Sequence, residues 1–326
     1  MIRQKSQWRK PGLLILAFAV SAWAVSLIAQ TADDKRSELS KSEQLAAAFR
    51  GKQIYDRACV SCHGSLGDGE GSGAKYLDPL PRDFTRGVYK FRSTPSGELP
   101  TNKDLYRTIT HGIPRTMMPA WKDLLTEQER RDVVAYIKTF SKKFDRYGQG
   151  DPIEIGDPPE ETPESLVEGL SLYMLMECWA CHGVKGKGDG KSAKTLVDDW
   201  GHRIKPFNFT LGKFKGGDDL QSVYRTFSTG LNGTPMPAYA EAFLFGGDSI
   251  DDLSLYKESF SAMEVAVLKT YLNIQPTEEQ LGNMTEKEQE ELVDRRRWSL
   301  VHYVKSLSKK PGMFRRIFGS DTEITK

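Results

Sequence analysis

Cysteine is scarce in this sequence: four residues in a chain of 326, all of them inside two five-residue segments. No thiol is left over for cysteine-based catalysis. An excess of one charge is lacking too. Lys and Arg number 46 against 44 Asp and Glu, a formal net charge of +2, too near balance for a nucleic-acid binder. Apolar bulk is modest, with a mean hydropathy of −0.50 and 28% charged residues, so most of the chain has the character of a soluble protein. The exception is the N-terminus. Arg3, Lys5, Arg9 and Lys10 precede an apolar run of 17 residues, Leu13 to Ala29, broken only by Ser21 and Ser26. That length is at the short end of what spans a bilayer. It reads as an uncleaved anchor over 1–32, with the basic end in the cytoplasm and the rest exported. A signal peptide cleaved near Ala22-Trp23-Ala24 is the alternative.

The cysteines stand as Cys59-Val60-Ser61-Cys62-His63 and Cys178-Trp179-Ala180-Cys181-His182. In a Cys-x-x-Cys-His segment the two thiols add across the vinyl groups of a haem, and the adjacent histidine ligates the iron from one face. Two copies imply two covalently held haems and a location outside the cytoplasm. A zinc site made from both pairs, a thioredoxin-like redox pair and two structural disulfides are the competing readings. None of them requires a histidine directly after the second cysteine, twice.

The two motifs open two copies of one repeat. Gly64 to Gly73 is answered by Gly183 to Gly190, Pro81-Arg82-Asp83-Phe84-Thr85 by Pro206-Phe207-Asn208-Phe209-Thr210, and Tyr89-Lys90-Phe91 by Gly212-Lys213-Phe214. Leu105-Tyr106-Arg107-Thr108 is answered by Val223-Tyr224-Arg225-Thr226, and Met118-Pro119-Ala120-Trp121 by Met236-Pro237-Ala238-Tyr239. The histidine-to-methionine spacing, 63 to 118 and 182 to 236, is 55 residues in one copy and 54 in the other. Equal spacing argues that each copy folds around the same object. The glycine-rich stretches suit a tight loop passing close to that object better than a phosphate loop, which needs a strand before it and a helix after it.

Each copy starts with a helix leading into its motif, with Leu45, Phe49, Ile54 and Tyr55 at roughly helical spacing in the first and Leu166, Leu170, Tyr173 and Met174 in the second. Each closes with an amphipathic helix, the first capped at Thr126-Glu127-Gln128-Glu129 and carrying Val133, Val134, Ile137 and Phe140, the second carrying Trp298, Val301, Val304 and Leu307. The offset between copies is 118 at Met118 and Met236 but 167 at Tyr136 and Tyr303, so the second copy holds about 49 extra residues, placed at 240–297. Within them Leu255 to Ile274 reads as a helix, and the final helix starts early, from Thr285. The insertion either covers a haem edge, docks a partner or is a surface elaboration. Between the copies Asp151 to Glu164 holds six acids, four prolines and no base, an extended linker. Lys309, Lys310, Arg315 and Arg316 make the tail basic.

These residues resemble class I cytochrome c, whose pattern is a leading helix, Cys-x-x-Cys-His, a loop with a distal methionine and a closing helix packed on the first. The layout is similar to a membrane-anchored dihaem cytochrome c of a bacterial respiratory chain. The resemblance implies an all-α fold, two tandem cytochrome c-like domains after an N-terminal hydrophobic helix. Domain 1 spans 42–145, an acidic linker 146–164, domain 2 165–310 and a basic tail 311–326. It implies that Cys59, Cys62, Cys178 and Cys181 hold two c-type haems, and that the irons take His63 and Met118 in one and His182 and Met236 in the other. Met117 competes with Met118, and the repeat favours Met118. His111, His202 and His302 are ordinary histidines on this reading, since no histidine recurs at a distal position in both copies. Propionate partners are expected among Lys90, Arg92, Trp121, Lys213 and Tyr239. The implied function is single-electron transfer between a membrane or periplasmic donor and an acceptor, as a non-catalytic protein or subunit of an oxidoreductase complex, with redox proteins and the membrane as partners and no nucleic acid. The main alternative, a dihaem peroxidase, needs an iron with an open sixth position and a nearby acid–base group. The paired methionines argue against it. A haem-based sensor is a third reading, without a visible signalling domain.

Overall fold

The computed structural model describes residues 40–308 except positions 241 and 251. The expected anchor at 1–32 and the tail at 311–326 lie outside the described residues. No described helix is long and apolar enough to cross a membrane. Among the described residues there is no β-strand, only an isolated antiparallel bridge between Val197 and Arg203.

The first copy contains α1 (Lys41–Ala58), α2 (Val60–His63), α3 (Asn102–His111), α4 (Glu127–Lys138) and α5 (Lys143–Tyr147). The second contains α6 (Pro163–Leu175), α7 (Cys178–His182), α8 (Leu220–Thr229), α9 (Ser254–Lys257), α10 (Ala262–Asn273), α11 (Glu278–Gly282) and α12 (Glu286–Ser306). The main helices begin where the sequence supplies a cap. Ser40 with Glu43, Thr126 with Glu129 and Thr285 with Glu288 are capping boxes, each stabilising its helix by about 1 kcal/mol.

In both copies the leading and closing helices cross at a glycine. A Cβ on Gly51 of α1 would lie 1.9 Å from the Asp132 carbonyl oxygen of α4, and one on Gly169 of α6 would lie 2.1 Å from that of Ser299 in α12. The β-carbons of Tyr136 and Tyr303 close the same contacts. The first crossing is held at its edge by Arg50, which donates to both carboxylate oxygens of Asp132 at 2.7 and 2.8 Å. In the second the polarity is reversed: Ser299 donates to Glu168 at 2.7 Å, and Arg295 pairs with the same carboxylate.

This crossing corrects the expected face of α1. Leu45 and Phe49 are 64% and 68% exposed, while Ala47, Ala48, Gly51, Ile54 and Tyr55 are buried. Close approach selects the small side chains, and the large ones are turned aside. The second copy follows the expected pattern, with Leu166, Leu170, Tyr173 and Met174 all in the core.

The insertion also differs from expectation. Leu255 to Ile274 is two helices, because Ser261 caps α10 and stops α9 short of it. The insertion is built into the core through Leu268, Tyr271 and Leu272. Buried Arg296 ties it down, donating to the carbonyls of Phe243 and Phe245 at 2.6 and 3.1 Å and to Gln275 at 2.9 Å. The segment expected as linker over 146–164 is shorter at both ends. Arg146 and Tyr147 finish α5, and Pro163 opens α6, where a missing N–H is harmless. The stretch between is pinned by Ile153 donating to the Ser93 carbonyl at 2.8 Å and by the Gly156 carbonyl accepting from Gln221 at 3.2 Å.

The loops carrying Met118 and Met236 share one hydrogen-bond pattern. Ile113 donates to the Met118 carbonyl and Leu231 to that of Met236, both at 3.1 Å. The hydroxyls of Thr116 and Thr234 accept from the amides of Met118 and Met236 at 3.1 and 3.3 Å. The closing helices fasten both loops with an arginine. Arg130 donates to the Lys122 and Leu125 carbonyls at 3.1 and 2.5 Å and to the Tyr106 hydroxyl at 2.9 Å. Its counterpart Arg297 donates to the Ala240 carbonyl and, at 3.2 Å, to the Tyr224 hydroxyl.

The copies meet through the same surfaces. Arg115 donates from one methionine loop to the Leu211 carbonyl at 2.9 Å, while the other methionine loop, at Gly233, packs against Val88, the equivalent of Leu211. Trp200 lies between the copies, donating to Asp83 at 3.2 Å with Arg82 and Arg86 over its ring.

Two predictions come from this packing. Gly51→Val or Gly169→Val forces a side chain into backbone and is expected to destabilise the protein by about 3 kcal/mol, read as a lower Tm. Gly282→Ala, where a Cβ meets nothing within 4 Å, should leave Tm unchanged or raise it. Arg297→Met should speed amide exchange in the Leu231–Ala240 loop roughly tenfold or more, since hydrogen bonds from a charged donor contribute about 1.5–3 kcal/mol. The Ile113–Lys122 loop should not respond to it, and Arg130→Met should give the reverse pattern. Equal protection in all three proteins would remove the arginines from this role.

Candidate functional site

Both Cys-x-x-Cys-His segments form single helical turns, α2 and α7, at the ends of the leading helices. Tyr55 donates to the Gly64 carbonyl at 2.8 Å and Tyr173 to the Gly183 carbonyl at 2.7 Å, pinning the chain as it leaves each motif. The glycine-rich stretches then fold back. Gly69, Gly71 and Gly73 donate to the carbonyls of His63, Cys62 and Ser61, and Gly188, Gly190 and Ser192 repeat this on His182, Cys181 and Ala180. These amides are spent on the ends of the motif helices, which leaves them without a role as a phosphate cradle. Positive φ at Gly64 and Gly183, 75° and 79°, makes the reversal possible.

No disulfide pairs any of the four cysteines. Before any attachment, burial pushes the Cys59 thiol up to about 11 and the Cys178 thiol up to about 12, unlike the activated thiolate of a disulfide oxidoreductase. Among the described residues no three His, Cys, Asp or Glu side chains converge on a metal position, so the zinc reading has no geometric support.

The two motif histidines are held alike. Nδ1 of His63 lies 3.2 Å from the Arg82 carbonyl, and Nδ1 of His182 lies 3.0 Å from the Phe207 carbonyl. A carbonyl only accepts, so Nδ1 carries the hydrogen and Nε2 keeps its lone pair. Each ring stacks on a phenylalanine, Phe84 at 4.6 Å and Phe209 at 4.3 Å. Burial lowers both histidine pKa values, which favours the neutral imidazole that binds metals.

One continuous cavity of about 800 Å³ borders both motifs. Its wall includes Cys59, Cys62 and His63 with Met118, and Cys178, Cys181 and His182 with Met236. Met117 also reaches it but is 70% exposed. Much of the remaining lining is apolar, from the cores of both copies.

Of the expected propionate partners, Lys90, Trp121 and Tyr239 border the cavity. Arg92 and Lys213 do not. Arg92, 2% exposed, instead donates to the carbonyls of Thr229 and, at 3.2 Å, Gly230, where the C-terminal end of α8 offers negative partial charge. His111 is exposed at the end of α3, His202 faces Asp198 at 3.6 Å, and buried His302 lies 3.0 Å from the Ser165 hydroxyl.

Arg82, Tyr89 and Lys215 also border the cavity and were missed in the sequence. Lys215 sits where the repeat places Arg92, and matching the basic charge at that position would have raised it as a candidate. The donor set suits a haem. There are paired thiols beside an imidazole, a thioether on the same cavity, an apolar wall, and the Tyr89 hydroxyl, which is buried with no hydrogen-bond partner.

Residues 48–141 and 166–256 each match the cytochrome c family. The second match stops inside the insertion, short of α12, the helix that closes that copy. Among solved structures, a chain of the Kuenenia stuttgartiensis reducing HAO-like protein complex Kustc0457/Kustc0458 is 38% identical, with a TM-score of 0.63 over 83% of this chain and 98% of that one. The two matched segments imply covalently bound c-type haem and are consistent with two haems. The chain belongs to the cytochrome c family.

Proposed function

We propose that this protein is a dihaem electron carrier with two low-spin, six-coordinate haems. The observation that carries this reading is the pairing, in each copy, of a carbonyl-oriented histidine with a loop-held methionine on one cavity. Each bound haem supplies an iron that gains and loses one electron. Cys59 and Cys62 hold one haem, and Cys178 and Cys181 the other. His63 and His182 would ligate the irons through Nε2, with Nδ1 fixed by its carbonyl so that the ring cannot turn. Met118 and Met236 would add their thioethers. A thioether would favour the reduced iron and raise the potential, and an iron holding both ligands would leave no site for peroxide. Apolar walls exclude water and reduce the rearrangement that accompanies a charge change.

We further place the chain outside the cytoplasm, anchored by its N-terminal apolar run, as a non-catalytic subunit that exchanges electrons with a redox partner. The basic residues before Leu13, the two haem motifs and the similarity to a chain that belongs to a protein complex support this. Solubilised in mild detergent from a carbonate-washed membrane fraction, the protein is expected to elute with a second redox protein, above its own 36.7 kDa. Release by the carbonate wash, or elution at the monomer mass, argues against this placement.

The ligand assignment is tested by EPR and optical spectra of the oxidised and reduced holoprotein. Two low-spin irons are expected. Met118→Ala and Met236→Ala should each lower the potential of one haem only and let that iron bind added azide. A stable high-spin iron in the unaltered protein would turn the reading towards a peroxidase, and unchanged potentials in both variants would remove the methionines.

A further inference from the structure

Three cations from the two copies meet at the cavity, and no described residue closes an ion pair with any of them. Arg82 and Lys90 come from the first copy and Lys215 from the second, and all three are half-buried on its wall. Lys90 is pushed down to about 8, first by burial and then by repulsion from Arg82 and, across the copy boundary, from Lys215. Arg82 and Lys215 are lowered by burial as well. The opposing acids are Asp198, Asp83 and Asp199 at Arg82, Asp198 at Lys90, and Asp78 at Lys215. None of them closes to an ion pair, and none of the three side chains donates a hydrogen bond among the described residues. Arg82 rests on the face of Trp200. Beside them the Tyr89 hydroxyl is buried without a partner. Partly desolvated like charges without a directly paired counter-ion are unfavourable, so this wall is suited to an anion.

We propose that Arg82, Lys90 and Lys215, with the Tyr89 hydroxyl, hold the propionates of both haems, so that each haem is bound partly by the other copy. This rests on the dihaem reading. A haem brings two carboxylates to one edge of an otherwise apolar plate, the chemistry this wall lacks, and the cavity that reaches both motif histidines passes these cations. The cluster would then bring the two haem edges together through shared counter-ions. Repeat position alone would assign Lys213, the counterpart of Lys90. It is exposed and off the cavity wall, whereas Lys215 is on it.

The test is a spectroelectrochemical titration of holoprotein carrying Lys90→Met or Lys215→Met, with the two waves assigned by the methionine variants. Each substitution removes a positive charge that favours the reduced iron. Both waves should therefore fall in both variants, by about 59 mV for a tenfold change in a one-electron equilibrium. The irons should stay low-spin, Lys215→Arg should restore both potentials, and Lys213→Gln should change neither. If Lys90→Met moves only the first haem and Lys215→Met only the second, the cations are private to their own copies and the proposal fails. It also fails if neither wave moves. Potentials of the unaltered protein that follow inorganic phosphate at constant ionic strength would give the cluster to a free anion. High-spin irons in the unaltered protein would strike at the dihaem carrier reading instead, and so the two failures are separable.

Discussion

With no side chain at Gly51 or Gly169, the leading helix of each copy lies directly against the backbone of its closing helix. Everything at the site is hung from that crossing. The leading helix ends in the Cys-x-x-Cys-His turn, which Tyr55 or Tyr173 pins through the following glycine carbonyl. The closing helix carries Arg130 or Arg297, which fastens the methionine loop. The separation of histidine from methionine is thus set by two helices whose own distance is fixed by backbone contact, the least compressible contact possible. The edge of the crossing tolerates exchange, as the swap of Arg50–Asp132 for Glu168–Ser299 shows. The glycine at its centre does not.

Duplication of this unit also explains how the copies join. The methionine loop of each lies on the segment after the phenylalanine turn of the other, at Arg115 with Leu211 and at Gly233 with Val88, as in an isologous dimer interface. Arg92 adds a contact without a symmetric equivalent. It is held near 10 by burial, below its usual value but charged at neutral pH, and it fills the carbonyl-rich end of α8. A buried guanidinium satisfied this way holds the copies together, because parting them would break its bonds to the Thr229 and Gly230 carbonyls and leave only Pro95 of its own copy as a protein partner. On the dihaem reading, two copies fixed in this way would support transfer between haems better than two domains swinging on a loose linker.

Much of this was legible because covalent and local chemistry writes itself into sequence. Cys59-Val60-Ser61-Cys62-His63 and its copy announce attachment, and Thr126 and Thr285 announce where the closing helices start. Other features depend on what lies opposite. Gly51 within a helix looks only like a weak helix former, and its meaning appears when Asp132 is found against it. Leu45 and Phe49 fit a helical stripe, yet the small residues won the buried face. Arg92 and Lys215 occupy the same position of the repeat, but the first serves the joint between copies and the second the cavity. Their roles follow from the relative placement of two domains, which a one-dimensional pattern does not contain.

The copies are alike in scaffold and unlike in setting. Tyr89 places a hydroxyl at the cavity where the second copy has Gly212, which has none. Trp179, between the cysteines of the second motif, is 3% exposed and packed edge-on against Phe260 of the insertion at 5.6 Å, whereas Val60 at the same place in the first is only half-buried. No described residue of the insertion after Ala240 borders the cavity, so its effect on the second site is to dry the attachment side rather than to line the site. Hydrogen bonding and solvent exposure are both levers on a haem potential. On the dihaem reading proposed above, applying them unequally to two sites on one scaffold would separate the two potentials, and a difference between neighbouring one-electron sites would give transfer a direction. On that reading the insertion would act on the second haem through burial at Trp179 rather than by lining the cavity.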